Sequence, residues 1–346
     1  MITIKVNGTN FEFFDSYDIA LRFDTIASTF SFNAVFDSQN ALHRSLFKPL
    51  SYSSVEIYWN GGLILSGVMI NASFSDSSTY ESVKISGYSK TGILEDCAIA
   101  QESYPLDFEK LTLLEIATKL CSPFGISVVT DLSSEDLSIA NMEIKSDSAK
   151  ETETVKSYLS SLCNQRNLIL THNEQGQLLI TKVKASTNPV QHFSDKVNPA
   201  TKMVLAVNGQ AMFSEILVMK QASVDTENAG QATVNNPLVS VKRTTTEIQS
   251  SGTDNDTEKV ANNLLSKQLK NIKLNINCDR NTFNNGSLFK PNKVITVQND
   301  EIYLFNRSYF FIESVTLKGS NKENVANLSC VLPEVYTKEK PTNIFA

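Results

Sequence analysis

The sequence predicts a mainly β protein: one antiparallel β-module used twice, with a compact α/β unit between the two copies. Three features point there. First, the pentapeptide Ser-Leu-Phe-Lys-Pro occurs at 45–49 and again at 287–291. Each copy begins eight residues after an aspartate, Asp37 or Asp279, that closes an alternating apolar run: Phe30, Phe32, Ala34, Phe36 in one case and Leu274, Ile276, Cys278 in the other. Strict alternation is the period of a half-buried strand. Second, each copy is followed by a further alternating run (Val55, Ile57, Trp59; Val294, Ile295, Val297) and an Asn-led turn, Asn60-Gly61-Gly62 or Asn299-Asp300. A spacing that repeats together with its letters is the mark of an internal duplication. Third, two helical stripes fall together in the middle of the chain, away from both copies of the repeat.

In chain order, the first module opens with a hairpin. Ile2, Ile4 and Val6 alternate up to Asn7-Gly8, and Phe11 and Phe13 alternate on the way back; Asn-Gly supplies the two positive-φ residues of a tight turn. Further strands are expected at Ile19 to Phe23, Phe30 to Phe36, Val55 to Trp59, Leu63 to Phe74 and Tyr80 to Tyr88, with a polar loop from Asp37 to Tyr52. Many strands joined by short turns indicate an antiparallel barrel or sandwich. After Gly92 the texture changes. Leu111 to Phe124 carries Leu113, Ile116, Ala117, Leu120 and Cys121 on one helical face. Thr112 and Glu115 are spaced for a capping box, and Pro123 and Gly125 stop the helix. A second helix, about Thr152 to Gln165, repeats the stripe, and a hairpin follows from Leu168 to Val183 around Asn173 to Gly176.

From Asn188 to Lys220 the runs are β-like again and are expected to complete the first module at about 193–222. Ser223 to Asn236 reads as an exposed polar loop, Pro237 to Ile248 as a strand, and Thr253 to Lys270 as a helix. That helix has Asp254, Asp256 and Glu258 at its start and Lys267 and Lys270 at its end, which complements the macrodipole. The second repeat then supplies strands at Ile272 to Cys278, Lys293 to Gln298, Ile302 to Phe305, Tyr309 to Leu317 and Val325 to Leu332, and 337–346 read as a polar tail. The domain division expected is therefore 1–92 for the first module, 93–190 for the α/β insertion, 223–336 for the second module with its helix at 253–270, and the tail.

Composition narrows the function. With 346 residues, two or three domains are expected. The longest apolar stretches, such as Gly62 to Ile70, are too short for a bilayer, and the alternating N-terminus lacks the layout of a signal peptide, so cytoplasmic synthesis is expected. A net charge of -6 with no Lys/Arg cluster gives no footprint for nucleic-acid recognition. Cys97, Cys121, Cys163, Cys278 and Cys330 are widely spaced and mostly on apolar faces, which suits reduced core residues.

Chemistry is represented mainly by decoys. Ser45-x-x-Lys48 and Lys90-Thr91-Gly92 imitate two motifs of penicillin-binding enzymes, but the Ser-Asp-Asn element between them is missing and Ser-Leu-Phe-Lys recurs where it can only be structural. His43, His172 and His192 lie in unrelated polar contexts without ligand spacing and read as surface or capping residues. Glu135-Asp136 are neighbours in what reads as a loop, and adjacency alone raises no pKa. No catalytic residue, metal site or cofactor is expected.

The segments Ile85-Ser86-Gly87-Tyr88-Ser89-Lys90-Thr91-Gly92, Asp96-Cys97, Leu111 to Ile116 and Cys121 to Ile126 resemble the baseplate hub proteins of Mu-like contractile-tailed phages. So do Gly286 to Asn292 and the closing Leu332-Pro333-Glu334-Val335-Tyr336, whereas Ser266-Lys267-Gln268 departs from the aromatic and arginines of the pattern. The resemblance implies two tail-tube-like antiparallel β-barrels plus a small α/β domain in each chain. It also implies a non-enzymatic homotrimer in the virion tail baseplate, assembled in the host cytoplasm. Its partners would be the tail tube protein, the spike protein, other baseplate proteins and the tape measure protein. Three chains with two modules each would match a six-fold tube to a three-fold spike and continue the DNA channel, with no sequence-specific nucleic-acid binding. Exposed edge strands are expected to pair around the ring, with interface residues in the Asp37 to Tyr52 and Asp279 to Asn292 loops. The alternatives are the hub of a related injection machine of type VI or tailocin kind, and a carbohydrate-binding tail protein.

Overall fold

The structure is a computed structural model that describes residues 2–11, 14–77, 81–184, 188–195, 199–220, 230–249, 257–320 and 323–345. The chain divides into two compact units, Met1–Lys182 with Ser314–Ala326, and Val183–Glu313 with Asn327–Ala346.

The first unit begins with β1 (Ile2–Val6), β2 (Thr9–Phe11), β3 (Phe14–Arg22), β4 (Thr29–Val35), α1 (Ala41–Leu46), β5 (Ser54–Trp59), β6 (Gly62–Ser75) and β7 (Ser82–Ser89). Phe13 and Tyr80, assigned to strands by their alternation, lie outside the described residues. The tight turns form as their dipeptides require: φ is 50° and 79° at Asn7 and Gly8, and 46° and 83° at Asn60 and Gly61, the paired positive values of a hairpin that follows strand twist. The strands form an antiparallel sheet in the order β2-β1-β5-β6-β7-β4-β3, and Ser314–Ser320 add to the far side of β3. Alternation puts Ile4, Ile57, Ile85, Phe32 and Ile19 on the buried face.

The sheet curls strongly, helped by bulges at Ile57/Tyr58 and Met69/Asn71. Phe11 of β2 and Phe32 of β4 reach a ring separation of 5.6 Å although β1, β5, β6 and β7 lie between them along the sheet. The expected closure into a barrel is not found, however. Among the described residues no backbone ladder joins the two edges of a sheet, and β2, three residues long, leaves aromatic side chains to fill the gap.

The inserted part of this unit contains α2 (Ile93–Asp96), β8 (Asp107–Phe108), α3 (Leu113–Cys121), β9 (Val128–Thr130), α4 (Ser134–Ala140), β10 (Asp147–Ser148), α5 (Val155–Gln165), β11 (Ile169–His172) and β12 (Leu178–Thr181). Hairpin β11-β12 is extended by β9, parallel to β12. The predicted capping box of α3 forms: Glu115 N donates to Thr112 Oγ1 at 3.2 Å while Glu115 Oε2 accepts from Thr112 N at 2.8 Å. The core is the two predicted stripes brought together, Leu113, Ile116 and Leu120 against Val155, Leu159 and Leu162. Glu135 and Asp136 open α4 instead of lying in a loop. Asp136 is buried because Ser133 Oγ donates to it at 2.7 Å and Lys182 Nζ stands 2.5 Å away, so its charge is compensated locally.

The second unit contains β13 (His192–Ser194), β14 (Ala200–Val207), β15 (Glu215–Lys220), β16 (Gln231–Asn235), β17 (Thr244–Gln249), α6 (Thr257–Leu269), β18 (Ile272–Cys278), β19 (Lys293–Asn299), β20 (Leu304–Ser320), β21 (Asn324–Val331) and α7 (Glu334–Thr337), with the ends of β20 and β21 shared with the first unit. Here the expectations need correction. The described residues of 193–222 do not complete the first module: β13 and β14 pair with β19 and β18 of the second unit, and 196–198 and 221–222 lie outside the described residues. Part of the expected loop at 223–236 is β16, which with β15 and β17 makes a separate three-stranded sheet. The predicted strand at 237–248 begins only at Thr244, because Asn236 turns the chain, its side chain accepting from Leu238 N at 3.1 Å and its carbonyl from Val239 N. Asp254 and Asp256 lie outside the described residues, and the helix is described from Thr257. The expected Asn-led turn at Asn299-Asp300 does form, as a 3₁₀ turn capped by Asn299 and ending at Tyr303, φ 66°.

The main sheet of this unit runs β13-β19-β20-β21-β18-β14. In the first unit the corresponding run is β1-β5-β6-β7-β4-β3. Strand for strand the two orders are the same, with the duplicated pentapeptide in the same connection each time, between β4 and β5 and between β18 and β19. They differ at the first strand, where β1 is antiparallel to β5 and β13 is parallel to β19. They differ also in decoration, since β15 to β17 and α6 are inserted between β14 and β18 where a short loop joins β3 to β4.

Candidate functional site

Among the described residues no group of three or more potential metal ligands converges, and no helix is long and apolar enough to cross a membrane. The decoys resolve into structure. Thr91 is fully buried and donates its hydroxyl to the Ile26 carbonyl, while Ser45 sits on α1.

Ser28 and His172 are closer to chemistry, with Oγ 2.8 Å from Nε2. Nε2 also accepts from the Ser28 amide at 3.0 Å, so the ring carries its proton on Nδ1, which faces the Thr25 carbonyl at 3.2 Å. Burial holds the imidazole at a pKa of about 4. Ser28 is itself buried, and its Oγ accepts from Arg22 N at 3.0 Å. With a carbonyl where a catalytic dyad has a carboxylate, and with both partners committed to backbone groups, the pair ties β11 to the β3-β4 connection. His172 is thus a half-buried structural residue, and His43, whose Nδ1 accepts from Asp37 N at 3.0 Å, is a buried one. The expectation was of surface or capping residues: each ring does accept from a backbone amide, but neither lies on the open surface.

The surfaces suited to assembly come next. In the Asp37 to Tyr52 loop, Asp37 Oδ1 accepts from Gln39 N at 2.8 Å and Asn40 caps α1 by accepting from Leu42 N at 2.9 Å. Phe47 plugs into the core edge-on to Phe11, 5.2 Å between centroids. The Asn7 side chain receives Ser54 N at 2.9 Å and donates to Ser53 Oγ at 3.0 Å, fastening the far end. A loop pinned at so many points still leaves Leu42, Leu50 and Tyr52 exposed, Leu50 by 79%. Leu50 and Tyr52 also hold positive φ of 58° and 49°, which side-chain-bearing residues adopt only when the surroundings impose it. A rigid loop that presents apolar side chains to water is the usual form of a contact surface.

The equivalent loop in the second repeat is built differently. Phe289 is buried edge-on to Phe283 at 4.6 Å, as Phe47 is to Phe11, but Leu288 lies in a bridge to Thr282 where Leu46 ends a helix. Arg280 donates to the Thr282 carbonyl and to Asn284, Gln191 Oε1 accepts from Asn284 N at 2.8 Å, and no large apolar side chain of this loop is exposed. The pentapeptide therefore marks an anchor, one buried phenylalanine, and not a conformation.

Two features escaped sequence reasoning. Tyr303 and Phe305 form an exposed aromatic pair, 4.9 Å between centroids, with Phe345 at 6.3 Å from Tyr303; the signal was the Tyr-Leu-Phe run at a turn. Strand β14 carries the apolar run Met203 to Val207 with nothing paired on its outer side among the described residues, leaving Val207 half exposed.

Comparison with known proteins gives relatives in sequence and in fold. Residues 91–182 match the family model of the second domain of gp44-like baseplate hub proteins. The baseplate hub protein gp44 of Escherichia phage Mu is 25% identical over 186 residues, a match that covers 54% of this chain and 46% of that relative. Among solved structures, the 43 kDa tail protein of prophage MuSo2 from Shewanella oneidensis superposes with a TM-score of 0.80 at 18% identity, covering 97% of this chain and 99% of that one. A tail protein from Neisseria meningitidis gives 0.78 at 20% identity over 97% and 98%. The resemblance read from Ile85 to Ile126 is borne out: this chain is similar to the Mu-like baseplate hub proteins, and it has a tail-protein fold along nearly its whole length.

Proposed function

We propose that this chain is the structural hub of a contractile phage baseplate, with three copies closing into a ring that joins the six-fold tail tube to the three-fold spike and continues the DNA channel. The single observation that carries the reading is the repeated strand order. A chain holding two like-ordered sheets lets a trimer offer six similar faces on one side while keeping three-fold symmetry on the other. In this reading 1–92 form the first tube-like module, 93–190 the inserted domain, and the following residues to about 336 the second module. The ring works by shape and does no chemistry. Its partners are the tube protein, the spike, neighbouring baseplate proteins and the tape measure protein, and it acts in the virion after assembly in the host cytoplasm. The net charge of -6 suits a wall past which DNA slides without binding. Native mass spectrometry tests the premise: the expected particle has three times the 38.3 kDa of one chain, and a species that stays monomeric at tens of micromolar refutes it.

A further inference from the structure

One face of strand β20 meets two different surroundings. Leu304, Ser308 and Phe310 turn inward, so Phe305, Arg307, Tyr309, Phe311 and Glu313 share the opposite face. The last two are buried because α7 lies on them. The Tyr336 ring packs on Phe311 with 4.7 Å between centroids, and Tyr336 OH donates to Glu313 Oε1 at 2.6 Å. Lys270 Nζ, 3.0 Å from the same oxygen and 5.4 Å from the centre of the Tyr336 ring, locks that end. The first three residues stay open: Phe305 is 50% exposed, Tyr309 41%, and Arg307 is exposed between them. Tyr303, 61% exposed and 4.9 Å from Phe305 between centroids, extends the row.

The residues after α7 reach the open part of this row. The helix ends at Lys338, φ 64°. Beyond it Glu339, Lys340, Thr342 and Asn343 face water, while Pro341 is buried and Ile344 and Phe345 are half-buried. Where the sequence reads as a polar tail, the segment is laid on the surface with its apolar side chains down. The Thr342 amide faces the Glu334 carboxylate, and the Phe345 ring meets Tyr303 at 6.3 Å between centroids. The two attachments are unequal. Tyr336 is 7% exposed and bonded to a carboxylate, whereas Phe345 is half-buried against a ring that is itself mostly exposed.

From this we infer that residues 339–345 are a strap, fixed at Tyr336 and lightly latched by Phe345, that holds one end of the row in the free chain and yields it to an extended segment of a partner protein carrying an aromatic side chain. The row has the make-up of an interface anchor, three aromatic rings and an arginine on one exposed face. Its outward side chains on β20 repeat every second residue, about 6.6 Å apart, which is the step of an extended chain laid along them. The side chain that this protein itself seats there, Phe345, sets the chemistry of the occupant. The strap is independent of the ring proposed above, because every element of it lies within the second unit of a single chain.

A labelled peptide of residues 339–346 tests the strap from outside. It is titrated by fluorescence anisotropy into the natural chain, into Phe345→Ser and into a chain ending at Lys340, with thermal melts to confirm that all three fold. A short tether gives an effective concentration of about 1 mM, so a peptide with a Kd of about 0.1 mM for the open row binds the natural chain about ten-fold more weakly than either opened form. Phe305→Ser placed in the Phe345→Ser chain is expected to abolish binding, and so is Phe345→Ser in the peptide. Equal binding to the natural and opened chains overturns the strap. No binding to the opened forms overturns the docking row, and binding that survives Phe305→Ser places the peptide elsewhere and overturns both.

Discussion

Acidification is expected to destabilise the first unit through His172. The imidazole is neutral in the folded chain, with Nε2 accepting from Ser28 N and Nδ1 directed at the Thr25 carbonyl, and burial depresses its pKa from 6.5 to about 4. In the unfolded chain it titrates near 6.5. Between these values the unfolded state holds one more proton, so stability rises with pH across the window and is lost as pH falls through it. At pH 4.5 the loss attributable to this one residue is about 2.5 kcal/mol, from the two pKa values and 1.36 kcal/mol per unit. Carboxylates titrate in the same range, so the measurement is a difference: urea unfolding of the natural chain and of His172→Gln at pH 7.5 and 4.5, followed by near-ultraviolet circular dichroism. The variant is less stable at pH 7.5, because its amide cannot serve both backbone groups in the same geometry, and the gap is expected to narrow by about 2.5 kcal/mol at pH 4.5. An unchanged gap would show that His172 is solvated or already protonated in the folded chain, and the account of its hydrogen bonds would be wrong.

Further outcomes follow from the packing. Phe47→Ala and Phe289→Ala each remove a fully buried ring from an equivalent anchor and should each cost about 3–5 kcal/mol in denaturant melts; a loss confined to one of them would argue that the repeat is not a repeat of function. Thr112→Ala deletes the cap of α3 and should cost about 1 kcal/mol, read as a lower urea midpoint for the inserted part. Leu50→Ser with Tyr52→Ser should leave the stability of the chain within about 0.5 kcal/mol, since both side chains are exposed, while weakening association measured by sedimentation. In the native protein one thiol per chain, the half-buried Cys97, should react promptly with an aromatic disulfide, because Cys121, Cys163 and Cys278 are buried with pKa pushed up to about 12 and Cys330 is fully buried; prompt reaction of a second thiol would show that a core opens.

Much of the architecture was legible because it is written in local chemistry. Asn-Gly at 7–8 and 60–61 fixes two hairpins by φ alone, Thr112 and Glu115 fix the start of a helix by hydrogen bonds three residues apart, and the stripes of α3 and α5 reveal their buried faces. The burial of the histidines was not legible for the converse reason. Nothing near His172 in sequence shows that Thr25 and Ser28, more than 140 residues away, will close over it. Strand β16 was taken for a loop because Gln231 to Asn235 is mostly polar, and its strand character comes from pairing with β15.

By itself the sequence determined that one β-module occurs twice, since a repeated aspartate-to-pentapeptide spacing needs no coordinates to be seen. Only the tertiary structure decided which strands belong to which copy, that β14 lines up with β18 and not with the first module, and that the sheets curl without closing. The physical reason is that alternation tells a strand which face to bury but not which neighbour to bond: edge hydrogen bonds are the same for every partner, and the choice among them is made by distant side chains such as Phe11, Phe32 and Tyr17 meeting in a core.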